Sequence, residues 1–138
     1  MGDRIFIDSN FFIALLSGGD SLNKRANELL GDLNARGFLP VTSNFVVSEV
    51  ITVLSQRVDK QIAINFAQFV YHSSNLDIIT VDHPTELKAL DYLKNIVGKN
   101  ISFCDCATIA TMDLLKIKHL ASFDNHFRIE GSNYKLWQ

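Results

Sequence analysis

Short runs of apolar residues alternate along the chain with longer segments whose apolar residues recur every three or four positions. The first run, residues 5–7, is apolar throughout and ends at Asp8, which predicts a strand buried on both faces. Further runs predict strands at 38–42, 77–81, 119–123 and 134–137. The carboxyl end of the first strand is therefore the first place to look for a functional group, because ligands of open parallel sheets bind beyond such ends.

The segments between the runs have the spacing of amphipathic helices. They predict helices around 10–16, 22–33, 45–54, 62–70, 84–98 and 103–117. Helix ends are predicted from Ser21, Ser43 or Asn44, and Ser102 as N-caps, from Gly37 as a stop and from Pro84 near a helix start. Strands that alternate with helices indicate an α/β fold, with a mainly parallel sheet of four to five strands and helices on both faces.

Composition narrows the class of protein. The 138 residues predict one domain, 1–138, and 47% hydrophobic with 20% charged residues is typical of a globular chain. The formal net charge of -2 indicates no overall basic surface of the kind that dedicated nucleic-acid binders carry, but a few local Lys and Arg residues with a bound metal can still bind nucleic acid. No apolar run approaches the ~20 residues of a membrane span. Cys104 and Cys106 are best explained as two small residues of a reducing compartment, so we expect a cytoplasmic protein.

Four acidic residues are predicted to lie at one edge of the sheet. Asp8 ends the first strand, Glu49 is in the second turn of the helix after the second strand, Asp105 is in the first turn after Ser102, and Asp124 follows the fourth strand. Each has a purely structural alternative: a helix cap for Asp8, a solvated position for Glu49, a capping box with Ser102 for Asp105, and a turn for Asp124. Four carboxylates together would repel one another unless cations compensate, and hard oxygen ligands favour Mg²⁺ or Mn²⁺ over zinc.

The motifs Ile-Asp-Ser-Asn, Val-Ser-Glu-Val, Ser-Phe-Cys-Asp-Cys-Ala-Thr-Ile-Ala and Ser-Phe-Asp-Asn-His-Phe follow one another in this order along the chain. In this order they resemble the PIN-domain ribonucleases, especially the VapC-type toxins of bacterial toxin–antitoxin pairs. The resemblance implies a three-layer α/β/α PIN-like domain with the first strand at the centre of its sheet. It also implies a Mg²⁺- or Mn²⁺-dependent endoribonuclease whose acidic quartet is Asp8, Glu49, Asp105 and Asp124, supported by Ser9, Asn10 and Ser102.

The same resemblance implies an RNA substrate, a cognate antitoxin and a homodimer. A housekeeping RNA-processing nuclease and an inactive protein-binding module remain as alternatives. A haloacid-dehalogenase-like phosphatase is disfavoured, because Asn10 stands where that chemistry needs a second aspartate. We expect His126 to be a surface loop residue and Asn10 to be able to cap the first helix. The aromatic residues Phe45, Phe66, Phe69 and Tyr71 could line a dimer face, but burial in the core is expected. The unranked candidates for phosphate contacts are Lys24, Arg25, Arg57, Lys116 and Arg128.

Overall fold

The structure, a computed structural model, describes residues 2–96 and 100–138. Across these residues five parallel strands form one sheet in the order β3-β2-β1-β4-β5. The strands are β1 (Arg4–Ile7), β2 (Leu39–Ser43), β3 (Asp77–Ile79), β4 (His119–Ala121) and β5 (Lys135–Trp137). The helices are α1 (Ser9–Leu16), α2 (Asn23–Ala35), α3 (Asn44–Arg57), α4 (Lys60–His72), α5 (His83–Asn95) and α6 (Phe103–Leu115).

The central position of β1 is confirmed, and its residues 5–7 are buried as a strand covered on both faces must be. The chain steps from β1 to β2 to β3 in one direction and then crosses back past β1 to β4. Right-handed crossovers in opposite directions place their helices on opposite faces of a sheet. The helices α1 to α4 accordingly pack in one group and α5 packs with α6 in another, which confirms the three-layer α/β/α fold.

Several predicted helix ends are confirmed in atomic detail. Gly37 adopts a φ of 78° after α2, a conformation that favours glycine. Ser43 caps α3, since its hydroxyl accepts a hydrogen bond from the backbone N–H of Val46. The alternative cap, Asn44, instead accepts a hydrogen bond from the backbone N–H of Val81 with its side-chain oxygen. This bond ties the start of α3 to the chain that follows β3.

Some predicted boundaries were wrong. Ser21 does not cap α2, because the helix begins at Asn23 after a turn in which the Asp20 carboxylate accepts a hydrogen bond from the N–H of Leu22. β3 and β4 each end two residues earlier than predicted. α6 ends at Leu115 because Lys116 turns into the left-handed region, with a φ of 56°. The predicted extension of α5 to Gly98 lies outside the described residues, which show the helix as far as residue 95.

The expected burial of the four aromatic residues is correct only in part. Phe66 is buried and Phe45 is half-buried, but Phe69 and Tyr71 are 60% and 63% exposed on α4. Both cysteines are free thiols. Within the described residues, no helix is long and apolar enough to span a membrane.

Candidate active site

Asp8 occupies the point at which the strand order reverses. Its backbone N–H donates a hydrogen bond to the carbonyl of Ala121, which joins the carboxyl ends of the neighbouring strands β1 and β4. Open α/β sheets bind their ligands at such a switch point. Asp8 precedes α1, yet in the described part of the chain its carboxylate makes no capping bond to that helix. The buried carboxylate instead accepts a 2.7 Å hydrogen bond from the hydroxyl of Ser122, so Asp8 stands at the N-cap position of α1 but its side chain does not cap the helix.

Ser122 connects three parts of the chain at this switch point. Its fully buried hydroxyl donates to Asp8 Oδ2, lies 3.3 Å from the side-chain oxygen of Asn10 and accepts a 3.1 Å hydrogen bond from the backbone N–H of Asp124. Asn10 does not cap α1 as expected, because its side-chain oxygen accepts from the backbone N–H of Phe123, 3.0 Å away. Ser9 is the buried first residue of α1. No role was predicted for Ser122, although its place directly after a strand and two positions before an aspartate was an available signal.

Asp105 is fixed at the start of α6 by a complete capping box. The Ser102 hydroxyl accepts a hydrogen bond from the Asp105 N–H, and Asp105 Oδ2 accepts one from the Ser102 N–H, each at 3.0 Å. The predicted cap is thus confirmed. It leaves the side chain of Asp105 largely buried, with its charge held at the edge of the sheet.

Asp124 and His126 complete a cluster with Asp105. Residues Asn125–Phe127 form one short 3₁₀ turn, and Asp124 Oδ1 accepts a 2.9 Å hydrogen bond from the backbone N–H of His126. His126 Nδ1 lies 2.8 Å from Asp124 Oδ1 and 3.9 Å from Asp105 Oδ2. His126 lies in the loop after β4 and is partly exposed, as expected, but its ring also lies against the carboxylates of Asp105 and Asp124. The sequence signal that could have indicated this cluster is the spacing of Asp124, His126 and Phe127, whose ring anchors the turn.

Glu49 lies at the rim of this group. It is exposed in the second turn of α3, and its Oε2 is 3.5 Å from the thiol of Cys104 in the first turn of α6. The charges of Glu49 and Asp105 both act on Asp8. The four acids thus share one edge of the sheet, although Glu49 and Asp8 reach the cluster of Asp105 and Asp124 from different sides.

Burial and mutual repulsion disfavour the charged forms of Asp8 and Asp105. Burial raises the pKa of Asp8 from 3.8 to about 7; the hydrogen bond from Ser122 opposes this rise, and the charges of Asp105 and Glu49 add to it. Burial likewise raises the pKa of Asp105, although the bonds from Ser102 oppose the rise. A cation at this edge would favour ionisation of both groups.

The donor set fits a divalent metal ion. Ligand atoms of Asp105, Asp124 and His126 all lie within 4.8 Å of one another. The Nδ1 atom of His126 is buried and, within the described residues, has no hydrogen-bond partner. Carboxylate oxygens beside an unused ring nitrogen are the donors that divalent metals take in proteins. The acidic cluster can therefore hold a divalent ion.

The candidate phosphate-binding residues separate into two groups. Arg25 donates two hydrogen bonds to the backbone carbonyl of Gln138, at 2.7 and 3.2 Å, and Arg128 donates to the side chain of the same residue. Gln138 directly follows β5, so both guanidinium groups lie on the side of the acids. Arg57 is the last residue of α3 and Lys116 directly follows α6, so both lie about 20 Å along the helix axes from the edge where those helices begin.

Comparison with known proteins identifies the family. The family model described as PIN domain matches residues 5–129, a range that contains all four acids and both strands of the switch point. The chain belongs to the PIN domain family. The fold described above is thus that of a PIN domain.

Particular relatives extend the comparison over nearly the whole chain. The 23S rRNA-specific endonuclease VapC20 of Mycobacterium tuberculosis is 28% identical over 130 residues, which cover 92% of this chain and 94% of the relative. The crystal structure of VapC20, described as a sarcin–ricin loop cleaving toxin, has a TM-score of 0.84 at 26% identity and covers 93% of this chain and 95% of its own. A toxin–antitoxin complex from Klebsiella pneumoniae has a TM-score of 0.66 at 17% identity, covers 95% of each chain and shows likeness of fold alone.

Proposed function

We propose that the chain is a divalent-metal-dependent endoribonuclease that hydrolyses phosphodiester bonds of RNA with Mg²⁺ or Mn²⁺. The observation that carries the proposal is the convergence of four carboxylates from β1, α3, α6 and the loop after β4 at one switch point. The likeness to a named 23S rRNA endonuclease over 92% of the chain supports the same activity. Asp8 and Asp105 would be the principal ligands, and Glu49 and Asp124 would complete the site directly or through water.

The chain's own residues hold this site rigid and attract the substrate. When bound, a divalent ion supplies a water of lowered pKa and neutralises charge that develops on the phosphate during cleavage. Ser122 holds the carboxylate of Asp8, and the capping box holds that of Asp105, so both groups are oriented before substrate arrives. Arg25 and Arg128 supply positive charge near the same edge, where the phosphates of an RNA strand would pass.

The proposal includes the role of toxin in a type II toxin–antitoxin pair. The likeness to VapC20, whose crystal structure is described as that of a sarcin–ricin loop cleaving toxin, supports it. The exposed rings of Phe69 and Tyr71 offer apolar surface for a protein partner, either an antitoxin or a second copy of this chain. A short upstream reading frame that encodes an inhibitor of the purified protein would support the role. An isolated gene would contradict it and favour RNA processing instead.

The activity is tested with purified protein and an RNA that contains the sarcin–ricin loop. We expect cleavage with Mg²⁺ or Mn²⁺, mapped by the ends of the products, and no cleavage by Asp8→Asn or Asp105→Asn. Asp32→Asn is the matched control, because Asp32 is an exposed carboxylate on α2. Melting curves establish that each variant is folded. Cleavage that persists in excess EDTA would contradict the metal-dependent mechanism.

A further inference from the structure

The ring of His126 directs a nitrogen atom at the two carboxylates of its cluster. Nδ1 is 2.8 Å from Asp124 Oδ1, a distance typical of a charge-assisted hydrogen bond. Within the described residues, however, Nδ1 makes no hydrogen bond, although the ring is only partly exposed and this atom is buried. The oxygen is close enough for a hydrogen bond but does not lie on the axis along which a ring N–H would donate.

This arrangement is the one expected of two ligands to one ion. In octahedral coordination with bonds of about 2.1 Å, adjacent ligand atoms are roughly 3 Å apart and opposite ones roughly 4.2 Å apart. Each adjacent ligand also lies about 45° off the other's bond axis, which is too far for a straight hydrogen bond. The distances from Nδ1 to Asp124 Oδ1 and Asp105 Oδ2, 2.8 and 3.9 Å, fall close to these two separations.

We infer that Nδ1 of His126 is a direct ligand of the divalent ion that Asp105 and Asp124 hold, and that this nitrogen makes the site prefer Mn²⁺ to Mg²⁺. The inference rests on the proposed metal-dependent function. Mg²⁺ is a hard ion that binds oxygen ligands, whereas a transition ion gains more from an imidazole nitrogen. The ring would bind as neutral imidazole, with its proton on Nε2.

The backbone around His126 is held in place by hydrogen bonds and by the burial of its neighbour Phe127. Phe127 is buried, its N–H donates to the carbonyl of Asp124, and its carbonyl accepts a 2.7 Å hydrogen bond from the hydroxyl of Tyr134. The backbone N–H of His126 is itself bonded to Asp124 Oδ1. A ligand held on both sides in this way loses little conformational freedom when an ion binds.

The inference is tested by pulsed electron paramagnetic resonance of Mn²⁺ bound to the full chain. Wild-type protein is expected to show coupling of the manganese electron spin to a directly bound imidazole nitrogen. Protein with ¹⁵N-labelled histidine is expected to show the corresponding ¹⁵N coupling, which needs no variant to be folded. His126→Gln is expected to lose the coupling, while the control His72→Gln, at an exposed position at the end of α4, is expected to keep it.

Calorimetric titrations of the same proteins with Mn²⁺ and with Mg²⁺ give the second readout. His126→Gln is expected to weaken Mn²⁺ binding about tenfold or more and Mg²⁺ binding much less. Wild-type protein that binds Mn²⁺ without nitrogen coupling would overturn the inference and leave the proposed function standing. Wild-type protein that binds neither ion and cleaves no RNA would overturn the proposed function itself. If His126→Gln weakens the binding of Mn²⁺ and of Mg²⁺ equally, and the wild-type protein shows no nitrogen coupling, His126 only positions Asp124 and the inference is overturned.

Discussion

The buried carboxylate of Asp8 predicts that Asp8→Asn stabilises the metal-free protein at neutral pH while it abolishes cleavage. Burial raises the pKa of Asp8 from 3.8 to about 7, so the folded protein holds this proton more tightly than the unfolded chain does. The contribution of Asp8 to the free energy of unfolding therefore falls as the pH rises from about 4 to about 7. At about 1.4 kcal/mol per pKa unit, the charged form costs ~4 kcal/mol above that range.

The net gain in stability from Asp8→Asn is smaller than this cost. The asparagine amide is buried as well, and its N–H groups need hydrogen-bond acceptors there. The Ser122 hydroxyl can still donate to the amide oxygen, but an unsatisfied N–H costs about 1–3 kcal/mol. We therefore expect Asp8→Asn to be more stable than wild type by about 1–3 kcal/mol near pH 8 and equally or less stable near pH 4. The pH dependence of the difference, about 4 kcal/mol across the range, is the sharper expectation because the amide cost cancels from it.

Urea denaturation in EDTA, from about pH 4.5 to pH 8, measures this difference for wild type and Asp8→Asn. Asp32 is exposed, so Asp32→Asn is the control for removing a carboxylate charge that is not buried. Its free energy of unfolding is expected to stay within about ±0.5 kcal/mol of the wild-type value. Saturating Mn²⁺ should remove the advantage of Asp8→Asn, because the ion stabilises only the protein that keeps its ligand. A difference between Asp8→Asn and wild type that does not change with pH would refute the reasoning.

Three further predictions follow from the contacts around the site. Ser122→Ala should raise the pKa of Asp8 further, lower stability by ~1–3 kcal/mol in denaturant titrations and weaken metal binding about 10- to 100-fold in calorimetry. Ser102→Ala should lower stability by ~1 kcal/mol, because α6 loses its cap, and unchanged melting would contradict the capping role. Burial raises the pKa of the Cys104 and Cys106 thiols, so iodoacetamide at pH 8 should label the native protein far more slowly than the urea-unfolded chain, as counted by mass spectrometry.

The sheet and the placement of its acids follow from local patterns that tertiary contacts do not override. Three consecutive apolar residues at 5–7 can be buried on both faces only in the middle of a sheet, and β1 is found there. Ser102 and Asp105 satisfy each other's backbone N–H groups within one turn, so neither needs a distant partner to form the cap. The caps at Ser43 and Ser102, whose hydrogen bonds close within a few residues, were accordingly correct in detail, although the predicted cap at Ser21 was not.

The connections across the site could not be predicted from the sequence, because they join residues far apart in the chain. Asn10 is a good cap by type, but its side chain bonds the backbone of Phe123, 113 positions away. Ser122 likewise bonds Asp8 across 114 positions. Local propensity gives no preference among such partners. The structure chooses them because β1 and β4 are neighbours, and that pairing depends on the whole order of strands.

The same neighbour relation explains how one residue can appear structural and functional at once. Asp105 is a helix cap and a member of the acidic cluster, and Asp124 accepts a bond within its own turn while its Oδ1 lies beside His126. In each case the oxygen that accepts the local hydrogen bond is also the one that faces His126 Nδ1, so the bond fixes that oxygen at the cluster. A structural explanation for an acid is therefore no argument against a role in the site. At a strand end or in the first turn of a helix, it describes how the backbone aims the charge.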